Sequence, residues 1–159
     1  MQKRLVHFLA AAAATVLPFS GSPDAAAQSR DLERRLSSAT RIECSFGKLV
    51  TGNWNGAEPA IEVGDSRLEA TFFDIDIDEG TAEAGSDFGN TFISVRYAQG
   101  YLHFLQMSDA GPLRITTVLA QESANGRMKA VQTRHEYSPT VLPGFTSRPE
   151  MYVGDCAVS

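Results

Sequence analysis

The sequence predicts an all-β domain in which an antiparallel meander of eight or nine strands closes into a small barrel after a short helix. Beyond Thr40, short runs rich in Val, Ile, Phe, Tyr and Thr alternate with Gly, Asn, Asp and Pro, and helical periodicity disappears. Strands at this spacing with short links favour a meander, and closure into a barrel removes exposed edges. The predicted strands cover residues 41–50, 58–63, 67–78, 81–85, 90–98, 101–108, 112–120, 127–137 and 150–157.

The first residues have the pattern of an export signal. Lys3 and Arg4 precede an apolar stretch over residues 5–17, which is too short to span a membrane. Three alanines before Gln28 supply a signal-peptidase site, so we expect removal of residues 1–27. The alternative is an N-terminal core helix. No later run is long enough to cross a bilayer, and the prediction is a periplasmic or secreted protein.

The lead-in to the predicted barrel covers residues 28–40, with a short helix over residues 29–39. Leu32 and Leu36 lie one turn apart on this helix and give it a single apolar stripe. Residues 41–159 are predicted to form one domain, because a mature chain of roughly 130 residues suits a single core.

The charge of the chain argues against a nucleic-acid partner. The sequence has 14 basic and 19 acidic residues, and loss of residues 1–27 removes two basic and one acidic residue, which leaves a net charge of −6. Binding to phosphate backbones requires clustered Lys and Arg, which this chain lacks. We therefore expect no nucleic acid among its partners.

The two cysteines, Cys44 and Cys156, lie near the two ends of the predicted barrel. An exported chain meets an oxidising environment, so a disulfide between them is the default prediction. In the chain-entropy model, closing so long a loop stabilises the fold by up to about 4–5 kcal/mol. The alternatives are a metal pair or a reactive thiol, and the lack of a CxxC motif disfavours both.

A first hairpin sets which side chains share a face. A two-residue turn at Gln99-Gly100 places Val95 opposite Phe104, and this apolar pair is expected to face inward. The neighbouring residue His103 is then expected to face outward.

A second hairpin has two candidate registers. A two-residue turn at Asn125-Gly126 would set Leu119 against Gln132. A three-residue loop instead sets Leu119 against Val131 and turns His135 inward, with the glycine at the bulge position. A one-residue shift exchanges the two faces of a strand, and the second register keeps apolar residues together. We therefore predict the bulged hairpin.

The stretch FFDIDIDEG carries acidic residues at alternate positions. The aspartates are Asp74, Asp76 and Asp78. A calcium loop of the EF-hand type would need glycine and glutamate where this sequence has Glu79 and Gly85. We predict a strand with Phe73, Ile75 and Ile77 inward, the aspartates in solvent, and a bend at the two phenylalanines. Adventitious calcium binding and a catalytic carboxylate pair are the alternatives.

Motifs for catalysis are incomplete. Gly64-Asp65-Ser66 resembles the nucleophile block of GDSL-type hydrolases, but Gln132 stands where that family has the aspartate three residues before its histidine. A turn is therefore predicted at these residues. There is no G-x-S-x-G elbow and no phosphate-binding glycine loop. We predict no catalytic residue, no metal site and no cofactor, and we do not expect an enzyme.

The tripeptide Gly52-Asn53-Trp54 resembles the G-x-W signature of lipocalins, as do a short helix before the strands and a disulfide that ties in the end of the chain. The resemblance implies a barrel in which Trp54 helps to close one end. Arg134-His135 and Gly154-Asp155-Cys156 are also similar to segments of small exported bacterial proteins.

The leading functional prediction is an exported, non-enzymatic barrel that binds one small, partly apolar ligand. The predicted ligand contacts are Trp54, Tyr97, Phe104 and His135. The predicted inner side chains are Phe73, Ile75, Ile77, Ile93, Val95, Tyr97, Leu102, Phe104, Ile115, Leu119, Val131 and His135. These side chains are bulky, so an interior packed without a ligand is the alternative.

The rival functional prediction is an interaction or inhibitor protein that grips another exported protein. The acidic row formed by the three aspartates and Glu79 would steer a basic partner. Small disulfide-tied barrels that inhibit lysozyme offer a family analogy for this interpretation.

Overall fold

The computed structural model describes residues 23–86, 89–107, 111–137 and 148–159, which hold one α-helix and eight β-strands. These elements are α1 (Pro23–Ser37), β1 (Arg41–Asn55), β2 (Glu58–Asp76), β3 (Thr81–Ser86), β4 (Gly89–Ala98), β5 (Tyr101–Met107), β6 (Leu113–Glu122), β7 (Met128–His135) and β8 (Glu150–Val158). A 3-10 turn, Ala124–Gly126, joins β6 to β7. Residues 1–22 of the predicted signal peptide lie outside the described residues, and so do residues 138–147, which follow the predicted strand 127–137.

The strands form a ring-like antiparallel meander. Each strand pairs with the next along the chain, and β8 pairs back with β1. The predicted strands 58–63 and 67–78 are one strand, β2, because β1 continues opposite Gly64 and Asp65. Lys48 Nζ of β1 lies 2.6 Å from Asp65 Oδ1. The predicted antiparallel meander is therefore confirmed with eight strands, and the predicted turn within β2 is wrong.

The β4–β5 hairpin has the predicted two-residue turn at Gln99-Gly100. Both residues are in the left-handed region, with φ of 49° and 79°, as a tight turn between twisted strands requires. Val95 lies opposite Phe104, and both are buried. His103 is half-buried, with Nδ1 2.9 Å from Thr117 Oγ1 on the next strand. The predicted pairing of this hairpin is confirmed.

The bend in β2 lies slightly later than predicted. Asp74 has φ of 50°, and the pairing with β3 shifts between Phe73 and Asp76. Phe72 is consequently buried, whereas Phe73 is only half-buried, so the inward assignment belongs to Phe72. Ile75, beyond the bend, is buried as predicted.

In the β6–β7 hairpin, the residues that face the interior belong to the face opposite to the one predicted to face inward. Next to the turn, Glu122 lies opposite Met128, as the three-residue loop requires, but two extra residues of β6 then shift the pairing. Val118 pairs with Ala130, and both are buried. The residues predicted to face inward here are half-buried or exposed instead; they are Ile115, Leu119, Val131 and His135. Their inward assignment was wrong.

Pairing with β5 decides the face of β6. Leu102 lies opposite Val118, and Phe104 lies opposite Thr116. Residues that pair directly across two strands share a face of the sheet. Because Leu102 and Phe104 are buried, their partners on β6 must also face inward. Thr116 is therefore buried although it is polar.

Helix α1 packs over one end of the ring. Leu32 and Leu36 are buried in the same apolar cluster as the inward residues of the strands, as their spacing predicts. The Tyr97 hydroxyl donates to the backbone carbonyl of Glu33 at 3.4 Å, beside the β4–β5 turn. The predicted helix is confirmed, and it begins earlier than predicted, at Pro23. None of the described helices has the length and hydropathy to cross a membrane.

A disulfide joins the first strand to the last. Cys44 and Cys156 lie directly opposite each other on β1 and β8, are separated by 112 positions in the sequence and have an S–S distance of 2.02 Å. Both cysteines are buried. The predicted disulfide is confirmed, and it suggests an extracytoplasmic protein.

β8 passes very close to β1 at Gly154. The pairing of β1 with both neighbours shifts between Phe46 and Lys48, and Gly154 lies opposite Phe46. A Cβ atom at position 154 would lie 2.6 Å from Phe46 Cα and would collide with the backbone oxygen of Ser45. Only glycine fits this approach without a backbone shift.

The Gly154→Ala variant is expected to lose at least about 2 kcal/mol of unfolding free energy, because the β1 backbone must move to accommodate the new methyl group. Gly64→Ala is the matched control, since a Cβ there meets no heavy atom within 4 Å. Urea unfolding followed by circular dichroism measures both, and equal midpoints would contradict the close approach.

Candidate functional site

A cavity of about 410 Å³ opens at the end of the ring opposite α1. Its volume lies within the range of small-molecule sites. Six strands contribute to its wall, and the lining residues are Leu68, Glu69, Ala70, Thr71, Phe72, Ala84, Gly85, Phe104, Gln106, Arg114, Thr116, Gln132, Arg134 and Tyr152.

The inward residues of β5 to β8 form three rows that follow one another from α1 towards the opening. The floor row is Leu102, Val118, Ala130 and Gly154, the middle row is Phe104, Thr116, Gln132 and Tyr152, and the mouth row is Gln106, Arg114, Arg134 and Glu150. Residues of one row lie opposite one another on neighbouring strands, and successive rows are two residues apart along each strand. Polarity therefore increases from an apolar floor to a charged mouth.

One side of the cavity is apolar. Phe72 and Phe104 stack with ring centroids 4.0 Å apart and 7° between their planes. Ala70 and Ala84 line the same cavity, and such small side chains leave room that larger ones would fill. This side is suited to contact with a hydrocarbon part of a ligand.

The other side of the cavity is polar and internally hydrogen-bonded. The buried Thr116 hydroxyl donates to Gln132 Oε1 at 3.0 Å. The Tyr152 hydroxyl donates to Glu150 Oε2 at 2.7 Å, and Arg134 Nη1 lies 3.5 Å from the same oxygen. Throughout the described ranges, no buried side-chain nitrogen or oxygen lacks a partner. The polar groups are thus held in place by one another.

Among the lining residues, Tyr152 has a pKa that differs clearly from its ordinary value. Burial raises the pKa of its phenol to about 12, and the hydrogen bond to Glu150 and the charge of Glu150 act in the same direction. The charges of Arg134 and Arg114 partly oppose this increase in pKa. Tyr152 therefore remains a neutral hydrogen-bond donor over the physiological pH range.

Two of the four predicted ligand contacts lie inside the ring. Phe104 is in the middle row and lines the cavity. Tyr97 is half-buried and packs against the core at the opposite end, where its hydroxyl bonds to α1. The structure therefore brings only Phe104 to the cavity wall.

The other two predicted contacts lie outside the cavity lining. Trp54 is near the end of β1, is 45% exposed, and meets the ring of Tyr137 edge to face with centroids 4.8 Å apart. His135 is exposed, with Nε2 3.2 Å from Thr133 Oγ1. The predicted inward position of His135 was wrong. Pairing with β5 fixes which residues of β6 face inward, and pairing with β6 does the same for β7.

The polar half of the cavity was not predicted from the sequence. One signal could have identified part of it, since a disulfide between two paired strands must have both sulfur atoms on the same face. With Cys156 inward, alternation along β8 also turns Tyr152 and Glu150 inward. No comparable local signal marked Arg114 or Gln132.

The three aspartates of the acidic row are exposed, as predicted. Asp76 Oδ1 accepts a hydrogen bond from the backbone N–H of Glu79 at 2.9 Å, which holds the turn between β2 and β3. Across the described residues, no group of three or more His, Cys, Asp and Glu side chains is arranged to hold a metal ion.

Comparison of the chain with models of protein families, with curated proteins and with solved structures gives no match in any of the three. The function therefore has to be inferred from the cavity and the residues around it.

In the wild-type protein, Tyr152 is expected to ionise near pH 12 rather than at its ordinary pKa of 10.0. Because the folded phenol holds its proton more tightly than the unfolded one, the unfolding free energy should fall as pH rises through this window. The difference in tyrosinate absorbance between wild type and Tyr152→Phe isolates this titration.

Glu150→Gln should lower the pKa of Tyr152, because it removes the negative charge that disfavours the phenolate. Burial should still keep the pKa above its ordinary value. An ordinary titration of Tyr152 in the wild type would contradict the buried phenol–carboxylate pair.

Proposed function

We propose that the ring of strands is a small, lipocalin-like barrel that binds one small, partly apolar ligand without transforming it. The observation that carries this proposal is the cavity of about 410 Å³ with an apolar floor and a polar mouth. Small-ligand sites typically combine apolar walls with a few fixed polar groups. An eight-stranded barrel has an interior that either fills itself or encloses one such ligand.

The division of the interior into two parts supports binding over a completely packed ring. Near α1 the interior is filled by Leu32 and Leu36 together with the floor row. Towards the other end, Ala70 and Ala84 replace bulkier side chains. The apolar part of a ligand would lie against Phe72 and Phe104.

The proposal that the ligand is bound without being transformed rests on the chemistry of the lining residues. Among the lining residues, the Thr116 hydroxyl donates its hydrogen bond to an amide oxygen rather than to a base. The Tyr152 phenol is stabilised in its neutral form. The Thr116 hydroxyl lacks an adjacent base and is therefore a weak nucleophile, and the Tyr152 phenol keeps its proton although Glu150 accepts its hydrogen bond.

A tryptophan at position 106 should block the cavity. The Gln106→Trp variant is expected to bind the uncharged fluorescent probe N-phenylnaphthylamine at least about tenfold more weakly, a loss of about 1.4 kcal/mol. Leu105→Trp is the control, because Leu105 precedes Gln106 on β5 and is outside the cavity lining. Fluorescence titration and thermal melting test binding and folding.

Equal probe binding by both tryptophan variants, or no saturable binding by the wild-type protein, would refute the proposed ligand site. Native mass spectrometry of the gently purified protein gives an independent result, since a bound small molecule adds a defined mass.

The second candidate function is recognition of a basic exported protein by the acidic row. This row lies near α1, away from the cavity, and its three aspartates take part in none of the ion pairs seen among the described residues. Uncompensated acidic side chains steer basic partners.

Lysozyme, a basic secreted protein, serves as the probe for this second function. The Asp76→Lys variant is expected to bind lysozyme at least about tenfold more weakly than wild type, and wild-type binding should weaken as salt increases. Glu58→Lys is the control, because this exposed carboxylate lies at the far end of β2. Binding that is indifferent to salt and to Asp76→Lys would exclude this role.

A further inference from the structure

Arg114 is the cation of the cavity that lacks a carboxylate partner. It lies on β6 in the mouth row and contributes to the cavity wall. Within the described residues, Arg114 takes part in no ion pair and no side-chain hydrogen bond. Its side chain is exposed to solvent at this opening, and its positive charge partly opposes the rise in the pKa of Tyr152.

The neighbouring Arg134 is held quite differently. Its Nε donates to Glu136 Oε2 at 2.8 Å, and its Nη1 lies 3.5 Å from Glu150 Oε2. Arg134 is directly opposite Arg114 on the paired strand, and like charges in such positions repel. The two carboxylates compensate Arg134, which leaves the charge of Arg114 uncompensated at the mouth of the cavity.

The distribution of charge at the mouth, rather than its net charge, favours a single negative charge on the ligand. Arg114 and Arg134 are opposed by Glu136 and Glu150, and both carboxylates lie on the side of Arg134. A ligand with one negative charge would pair with Arg114, whereas a dianion would also be repelled by the nearby carboxylates. The carboxylate that lines the cavity, that of Glu69, is on β2, four strands away around the ring.

A guanidinium group is well suited to a carboxylate. Its planar fork of N–H donors matches the two carboxylate oxygens, and such bidentate bonds are stronger than neutral ones. The stacked rings of Phe72 and Phe104 lie one row deeper than this polar end, since Phe104 belongs to the middle row. The cavity thus offers a cation at its mouth and an apolar wall deeper inside.

We propose that the cavity selects amphiphiles with one carboxylate head group, that Arg114 binds this head group at the mouth, and that the apolar tail extends towards Phe72 and Phe104. This inference rests on the proposed ligand-binding function and assigns the chemical class of the ligand.

The test compares octanoate with octanol by isothermal titration calorimetry. Wild-type protein is expected to bind octanoate about tenfold to a hundredfold more tightly than octanol, as a charge-assisted hydrogen bond implies. Arg114→Gln should remove this preference by weakening octanoate binding alone. Arg114→Lys should restore part of it, because lysine keeps the charge and loses the bidentate geometry.

The control variant is Arg96→Gln, which should leave the binding of both ligands unchanged. Arg96 is exposed on β4 and lies opposite His103 of the outer face. Thermal melting of each variant verifies that the fold is intact.

The outcomes separate the head-group assignment from the proposed function. Equal affinity for octanoate and octanol, or an unchanged preference in Arg114→Gln, would overturn the role of Arg114, while probe binding that is blocked in Gln106→Trp would keep the ligand site. Octyl phosphate binding more tightly than octanoate would overturn the choice of a carboxylate. Failure of all ligands and of the uncharged probe would overturn both proposals.

Discussion

The pairing of β1 with β8 is the constraint on which the rest of the structure depends. It converts a meander, which would have two exposed edge strands, into a ring with an inside and an outside. The disulfide between Cys44 and Cys156 fastens this pair, and Gly154 permits the close approach of the two backbones. Because Cys156 is inward, alternation along β8 also turns Tyr152 and Glu150 inward.

The helix makes the two ends of the ring different. Leu32 and Leu36 complete the apolar cluster at one end, so the inward residues there can be large and apolar. At the other end, polar groups within the ring must satisfy one another. Thr116 does so with Gln132, and Tyr152 does so with Glu150. This difference produces an interior that changes from apolar to charged along a single direction.

The polar interior also explains which parts of the site could be read from the sequence. Alternation separates the two faces of a strand, and hydrophobicity then selects the inner face when one face is clearly more apolar, as for Val95 and Ile93. On β6 and β7 both faces are mixed. Hydrophobicity there favoured an inward Leu119, and alternation then placed His135 inward as well. The inner face in fact holds Thr116 and Gln132. Hydrophobicity alone was misleading because the ring encloses a polar site.

The sequence by itself determined the features that depend on neighbouring residues or on general chemistry. These are the strand-rich domain after a short helix, the Gln99-Gly100 turn, the solvent-exposed aspartates and the disulfide. Only the tertiary structure decided that β2 runs unbroken through Gly64, that β6 and β7 turn their even-numbered residues inward, and that Arg114 meets the cavity. The physical reason is that pairing with the neighbouring strand fixes which residues of a strand face inward. In a ring, each strand therefore depends on the next, all the way round to the first.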